Sequence, residues 1–97
     1  MPKFISLVNS TSQGVENIKE SPNRLDAVKK LCESMDAKVD GLYVTMGRYD
    51  IVLIMDAPNP ETALKIIKKI ASAGNISTET LLAFPEEEYR GIISEIP

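Results

Sequence analysis

The chain has 97 residues, 26% of them charged, a formal net charge of −3 and no histidine. This is one domain, residues 1–97, with a core small enough that association with another subunit is a common supplement. The missing histidine excludes a histidine-dependent triad and a histidine-ligated zinc or haem, and the scattered basic residues form no stripe for nucleic acid or for an anionic membrane.

Met1-Pro2-Lys3-Phe4 runs directly into a strand pattern and shows no signal peptide. No apolar run approaches the roughly 18 residues of a membrane span, so the expected location is cytoplasmic. The sequons Asn9-Ser10-Thr11 and Asn75-Ile76-Ser77 are then chance matches. Phe4 to Asn9 reads as a first strand. Ser10 to Glu20 is a polar connection with room for one helical turn, Val15 and Ile18 pointing inward. Ser21-Pro22 is a helix start, with Ser as N-cap and Pro at the first helical position. Leu25, Val28, Leu31, Cys32 and Met35 recur at helical spacing and carry that helix to about Met35. Cys32 is the single cysteine, so no internal disulfide forms, and its place in the apolar pattern makes it a small buried hydrophobe.

Ala37 to Met46 reads as a second strand and Tyr49 to Asp56 as a third. Only Gly47-Arg48 separates them, and glycine at the first of two turn positions suits a type II′ hairpin. Asp56 to Pro60 breaks the sheet. Asn59 caps and Pro60 opens the second helix, with an apolar stripe at Ala63, Ile66, Ile67, Ile70 and Ala71; Gly74 stops it. Ile76 to Phe84 is a fourth strand. Pro85 begins a final helix with Tyr89, Ile92, Ile93 and Ile96 on one face. The acidic run Glu86-Glu87-Glu88 suits the positive end of that helix's dipole and is not read as a metal cluster. No metal and no cofactor is expected.

The order β-α-β-β-α-β with an extra C-terminal helix is that of an α+β, ferredoxin-like domain. Both main helices then lie on one face of a four-stranded antiparallel sheet, and the other face is bare. A two-residue turn pairs Met46 with Tyr49, Thr45 with Asp50, Val44 with Ile51 and Tyr43 with Val52, and cross-strand partners share a face. Val44, Met46, Tyr49, Leu53 and Met55 therefore fall on the helix-covered core. Tyr43, Thr45, Asp50, Val52 and Ile54 fall on the bare face. Val52 and Ile54 are too apolar to sit in water, which points to another subunit. The expected assembly is a homodimer or higher homo-oligomer packed sheet against sheet, with a small polar-mouthed cavity between the sheets.

The hairpin Tyr43-Val44-Thr45-Met46-Gly47-Arg48-Tyr49-Asp50, followed by Ala57-Pro58 and by Thr78-Glu79-Thr80-Leu81, resembles the GYD domain family. Leu7-Val8-Asn9, Thr11 to Gly14, and Asn17-Ile18-Lys19 to Arg24-Leu25 are similar as well, so the resemblance runs from about Phe4 to Tyr89. The Gly, Tyr and Asp of the family's name are here Gly47, Tyr49 and Asp50, with Arg48 intervening. The resemblance implies a dimeric α/β barrel of two ferredoxin-like subunits with their sheets face to face. It implies no activity or ligand.

Four residues are candidates for a ligand site: Asp50, Tyr43, Thr45 and Glu79. Asp50 on the inter-sheet face can accept a ligand hydrogen bond or act as a general base; it can equally cap the hairpin or pair with Arg48. Glu79 faces the cavity if Ile76, Thr78 and Thr80 face the helices; with the strand the other way, Thr78 and Thr80 line it instead, and the simpler reading of Glu79 is an edge-strand charge that discourages aggregation. Tyr43 is either a ligand contact or an interface aromatic. Tyr49 is expected to pack on the core face and Arg48 to be solvated. Catalytic residues are unknown. The leading reading is a small-molecule binding or regulatory module without enzymatic activity. The alternatives are a metal- and His-independent enzyme, oxygenase-like by fold analogy, using Asp50 and Tyr43, or a purely structural dimerisation module.

Overall fold

The computed structural model describes residues 1–97. The chain runs β1 (Lys3–Ser10), α1 (Ser12–Glu16), a 3-10 turn (Ile18–Glu20), α2 (Ser21–Ser34), β2 (Lys38–Val44), β3 (Ile51–Asp56), α3 (Pro60–Ala71), β4 (Ile76–Ala83) and α4 (Glu86–Ser94). The strands form one antiparallel sheet in the order β2-β3-β1-β4. This is the expected ferredoxin-like α+β arrangement, with each main helix crossing from one strand to a non-adjacent one.

The two-residue period of a strand decides which side chains meet the helices. Phe4, Ser6 and Val8 are buried, while Ile5 and Leu7 between them are not. Register carries the division across the sheet: Phe4 lies opposite Met55 and Leu82, Ser6 opposite Leu53 and Thr80, Val8 opposite Ile51 and Thr78. Phe4, Cys32, Met55, Ala63, Ile66 and Ile67 form the centre of the core. Cys32 is buried as expected, its burial raises its thiol pKa, and its Sγ lies 3.8 Å from Met55 Sδ. Ser6 shares a 2.9 Å hydroxyl–hydroxyl hydrogen bond with Thr80, so this buried polar group is satisfied.

The start and stop of α3 follow the local signals. The Asn59 side chain accepts from the Thr62 N–H at 2.8 Å, Pro60 opens the helix, and Gly74 follows its end at φ +85°. The start of α2 differs from expectation. The chain enters it from the 3-10 turn, so Glu20 takes the cap position in helical backbone and Ser21 is already helical.

Val15 and Ile18 do not point inward; they are 59% and 53% exposed. The segment is held by backbone approach instead. The Thr11 N–H donates to the Asn75 carbonyl at 3.0 Å, and Gly14 sits so close to that carbonyl that a Cβ there would overlap it. Gln13 Nε2 donates to the Ala73 carbonyl at 2.9 Å and completes the tie to the loop before β4.

The hairpin keeps the expected register, Tyr43 opposite Val52 and Val44 opposite Ile51. Its turn is different. The last ladder bond is Thr45 N–H to the Asp50 carbonyl at 2.8 Å, and no backbone hydrogen bond joins Met46 to Tyr49. Gly47 has φ +133°, far from the roughly +60° of a type II′ turn. Residues 46 to 49 thus form an open loop, and the expected core placement of Val44 and Met46 is corrected: they are 72% and 102% exposed, because no helix covers the hairpin tip.

Every residue from Phe84 to Pro97 is exposed. The molecule measures 53 × 31 × 18 Å with a radius of gyration of 14.7 Å, against the 12–13 Å, roughly, of a compact chain of this length. The excess reflects α4, which has no buried residue and projects with Tyr89, Ile92, Ile93 and Ile96 exposed. No helix is long and apolar enough to cross a membrane.

Candidate functional site

The face of the sheet away from α2 and α3 is apolar at its centre. Ile5 and Leu7 on β1 lie opposite Ile54 and Val52 on β3, and opposite Leu81 and Glu79 on β4. None of these six is buried. On the outer strand β2, Tyr43 is 61% exposed opposite Val52. Its ring leans over Gly41, where a Cβ would come to 3.0 Å from Tyr43 Cε2, so the missing side chain at Gly41 makes room for the ring.

The four candidate residues do not form one cluster. Asp50 Oδ2 accepts the Ser10 N–H at 2.9 Å, and the Asp50 N–H donates to the Val8 carbonyl at 2.9 Å. This carboxylate ties down the end of β1 rather than the turn amides. Thr45 is joined to Asp50 through the backbone, and its hydroxyl donates to the Tyr49 carbonyl at 2.6 Å. Glu79 lies on the bare face, since Thr78 and Thr80 share the helix-facing side with Val8 and Ser6. It accepts a 2.9 Å hydrogen bond from the Tyr49 hydroxyl. Tyr43 stands apart on β2 without a hydrogen-bond partner for its hydroxyl.

The position of Tyr49 is a correction. Placed on the core face by a two-residue turn, it reaches Glu79 on the opposite face, because the open loop frees its backbone from the strand's alternation. Its phenol pKa is raised, first by the hydrogen bond to Glu79 and then by desolvation. Arg48 is exposed, as expected, and lies 5.9 Å from the Tyr49 ring centroid, within cation–π range. No sequence signal separates these outcomes, since turn length alone decides them.

A second polar group escaped the sequence reading. Lys3 Nζ lies 2.8 Å from Asp40 Oδ2 and 2.9 Å from Asp56 Oδ1. A β-bulge brings Asp40 there: the β2–β3 register shifts between Val39 and Gly41, leaving Asp40 as the extra residue. The hydrogen bond to Lys3 holds the Asp40 carboxyl below its usual range, and the same contact raises Lys3. The available signal was the Asp40-Gly41 pair, since glycine inside a strand often marks a bulge.

On the opposite side of the sheet, between α2, α3 and the strands, lies a cavity of about 330 Å³. Val28, Leu31, Leu42, Leu53 and Ile67, from the middle of their elements, line it. Ser10, Ser21, Arg24, Lys69, Asn75 and Thr78 line one end of it. These come from the end of β1, the start of α2, the end of α3 and the start of β4, segments that the topology brings together. The sequence placed a cavity only between facing sheets and had no means of finding this one, which depends on how far apart the two helices stand.

Known proteins resemble this chain in sequence and fold. A protein of Thermus thermophilus named glutamine synthetase and cystathionine beta-lyase binding protein is 33% identical over 86 residues, covering 88% of this chain and 90% of that one. A crystal structure from the same organism superposes with a TM-score of 0.57 at 24% identity, covering 88% of this chain and 95% of that one. A feast or famine regulatory protein of M. tuberculosis, complexed with L-methionine, superposes with a TM-score of 0.66 at 13% identity, over 88% of this chain. This chain spans only 51% of that protein's length, and the likeness shows the shared fold. The GYD domain profile matches residues 4–93. With its ferredoxin-like sheet, its Gly47, Tyr49 and Asp50 at one hairpin, and a match over nearly its whole length, the chain belongs to the GYD domain family.

Proposed function

We propose that this protein is a homo-oligomeric, non-catalytic binding module of regulatory type that works in the cytoplasm. The observation that carries this reading is the bare sheet face, apolar at Ile5, Leu7, Val52, Ile54 and Leu81. A contiguous apolar face of this kind is a protein interaction surface. Four strands about 4.8 Å apart and some six residues long give a planar footprint of roughly 400 Å². A standard interface buries about 800 Å² per partner, so the sheet supplies half, and the exposed stripe of α4 offers further area. Two copies facing each other would set Tyr43, Thr45, Asp50 and Glu79 at separate points around the polar edge of the space between the sheets, where a ligand could meet some of them.

The relative named for binding glutamine synthetase and cystathionine beta-lyase supports a role in docking on enzymes. The shared fold of an amino-acid-complexed regulatory protein agrees with a module of this type. The hydrogen bond from the Ser10 N–H to Asp50 favours a structural role for that carboxylate over the general base of an enzyme.

Light scattering coupled to size exclusion, on the wild type and on Leu7→Asp, tests the reading. The wild type is expected to be a dimer or larger and the variant a monomer of unchanged circular dichroism. A wild type that stays monomeric at micromolar concentration would overturn it.

A further inference from the structure

We propose that the helix-side cavity is a binding site for an amphiphilic carboxylate, with an aliphatic tail between α2, α3 and the sheet and the carboxylate group held at the mouth by Lys69 and Arg24. This site lies on the face of the sheet opposite the self-association surface, and it stands whether or not two copies associate.

The volume, about 330 Å³, falls at the lower end of the range of small-molecule pockets, roughly 300–1,000 Å³. The chemistry of the walls then narrows the ligand. The inner part is aliphatic, with Val28, Leu31, Leu53 and Ile67, and no aromatic ring lines the cavity. A stacking ligand such as a nucleobase has nothing to stack on, whereas an alkyl chain restores dispersion contacts that walls standing apart forgo. Ser6, the polar residue of the inner part, has its hydroxyl engaged with Thr80, so it asks nothing of the tail.

The end of the cavity where α2 and β4 begin and α3 ends carries one sign of charge. Arg24 and Lys69 are the two ionisable residues on the wall, and no carboxylate lines it, in a chain where acidic residues outnumber basic ones 14 to 11. Arg24 is held in place by donating to the carbonyls of Asn17 at 2.9 Å and Gly14 at 3.3 Å. Those carbonyls anchor the guanidinium without neutralising it, and neither Arg24 nor Lys69 takes part in any ion pair. The nearby Asp50 carboxylate does not line the cavity and is bound to the Ser10 N–H. Two cations at the end of an aliphatic slot match an anionic carboxylate better than a neutral alcohol.

Methyl-resolved NMR titration with sodium decanoate, 1-decanol and sodium acetate tests this, using the wild type and Lys69→Gln. Lys69 makes no side-chain hydrogen bond or ion pair in the fold, so its substitution leaves the structure intact. Decanoate is expected to shift the methyl signals of Leu25, Val28, Ile70 and Ile76 saturably. Acetate should shift none of them. Decanol should bind about tenfold more weakly than decanoate, and Lys69→Gln should weaken decanoate by about tenfold, the loss of one charge-assisted contact. Absence of saturable shifts would overturn the assignment. So would shifts centred on Leu7, Val52 and Ile54 of the bare face, equal affinity for decanol, or an unchanged affinity in Lys69→Gln.

Discussion

The Tyr49 hydroxyl donates a 2.9 Å hydrogen bond to Glu79, fastening the open hairpin loop to the edge strand β4 across β1. This bond holds the Tyr49 phenol above its ordinary pKa of about 10. A raised phenol pKa means that the folded state binds its proton more tightly than the unfolded state. The bond's contribution to stability is therefore fully present below the unfolded phenol pKa and is lost as pH rises through the folded one. A phenolate absorbance titration of the wild type, less that of Tyr49→Phe, isolates the Tyr49 transition and should place its midpoint above the ordinary phenol value of about 10. In Glu79→Gln its midpoint should fall.

Asp50 joins β3 to the end of β1 by accepting the Ser10 N–H. Asp50→Ala removes the acceptor and leaves a half-buried backbone donor unpaired. The expected loss is about 1–3 kcal/mol, the cost of a hydrogen bond to a charged group. Asp50→Asn keeps a neutral acceptor and should lose less. Urea unfolding of the two variants measures the order; equal stability of Asp50→Ala and wild type would show that the bond is dispensable.

The Lys3, Asp40 and Asp56 group gives the fold an acid-sensitive contact. Asp40 is held below its usual range by the hydrogen bond from Lys3, so its contribution is present above the unfolded carboxyl pKa of about 4 and is lost as pH falls through the folded value. Lys3 is raised, so its share persists below the unfolded ammonium pKa and is lost as pH rises through the folded one. Both groups are exposed enough that solvent screens the pair. Lys3→Met should flatten the acid limb of a Tm-against-pH curve while changing Tm little at high salt.

Two glycines should respond in opposite directions. Gly14→Ala drives a methyl into the Asn75 carbonyl, a backbone atom that cannot swing away, and should cost about 1–3 kcal/mol as an overpacked site does. Gly91 lies within α4 with nothing near its Cβ position. Gly91→Ala should stabilise that helix by roughly 0.5–1 kcal/mol through lost unfolded-state freedom and better helix propensity. Denaturant unfolding reads the first, and helical content by circular dichroism the second.

Much of the fold was legible because its signals are local. Asn59-Pro60 capped and opened α3, Gly74 ended it, and alternation along Phe4 to Val8 set the buried face of β1. The hairpin register was legible too, because a tip at Gly47-Arg48 pairs Val44 with Ile51. Expectations failed where a side chain's direction depends on backbone no longer in a ladder. Tyr49 left the core face because the loop opened, Val44 and Met46 are exposed because no helix covers the hairpin tip, and Val15 and Ile18 stayed exposed because Gly14 docks by its backbone.

The sequence alone determined the class of the molecule: an α+β composition of elements, ferredoxin-like order, an apolar strand face without a helix, and a resemblance to the GYD family. The first three follow from periodicity, caps and breakers, each read within a few residues, and the last from the hairpin residues and their neighbours. Only the tertiary structure decided where the chemistry sits. It engaged Asp50 with Ser10, paired Tyr49 with Glu79, used a bulge to aim Asp40 at Lys3, and held α2 and α3 far enough apart to form a cavity with Arg24 and Lys69 at its mouth. Each of these joins residues distant in the chain. Their distances are set by packing of whole elements, which no local pattern encodes.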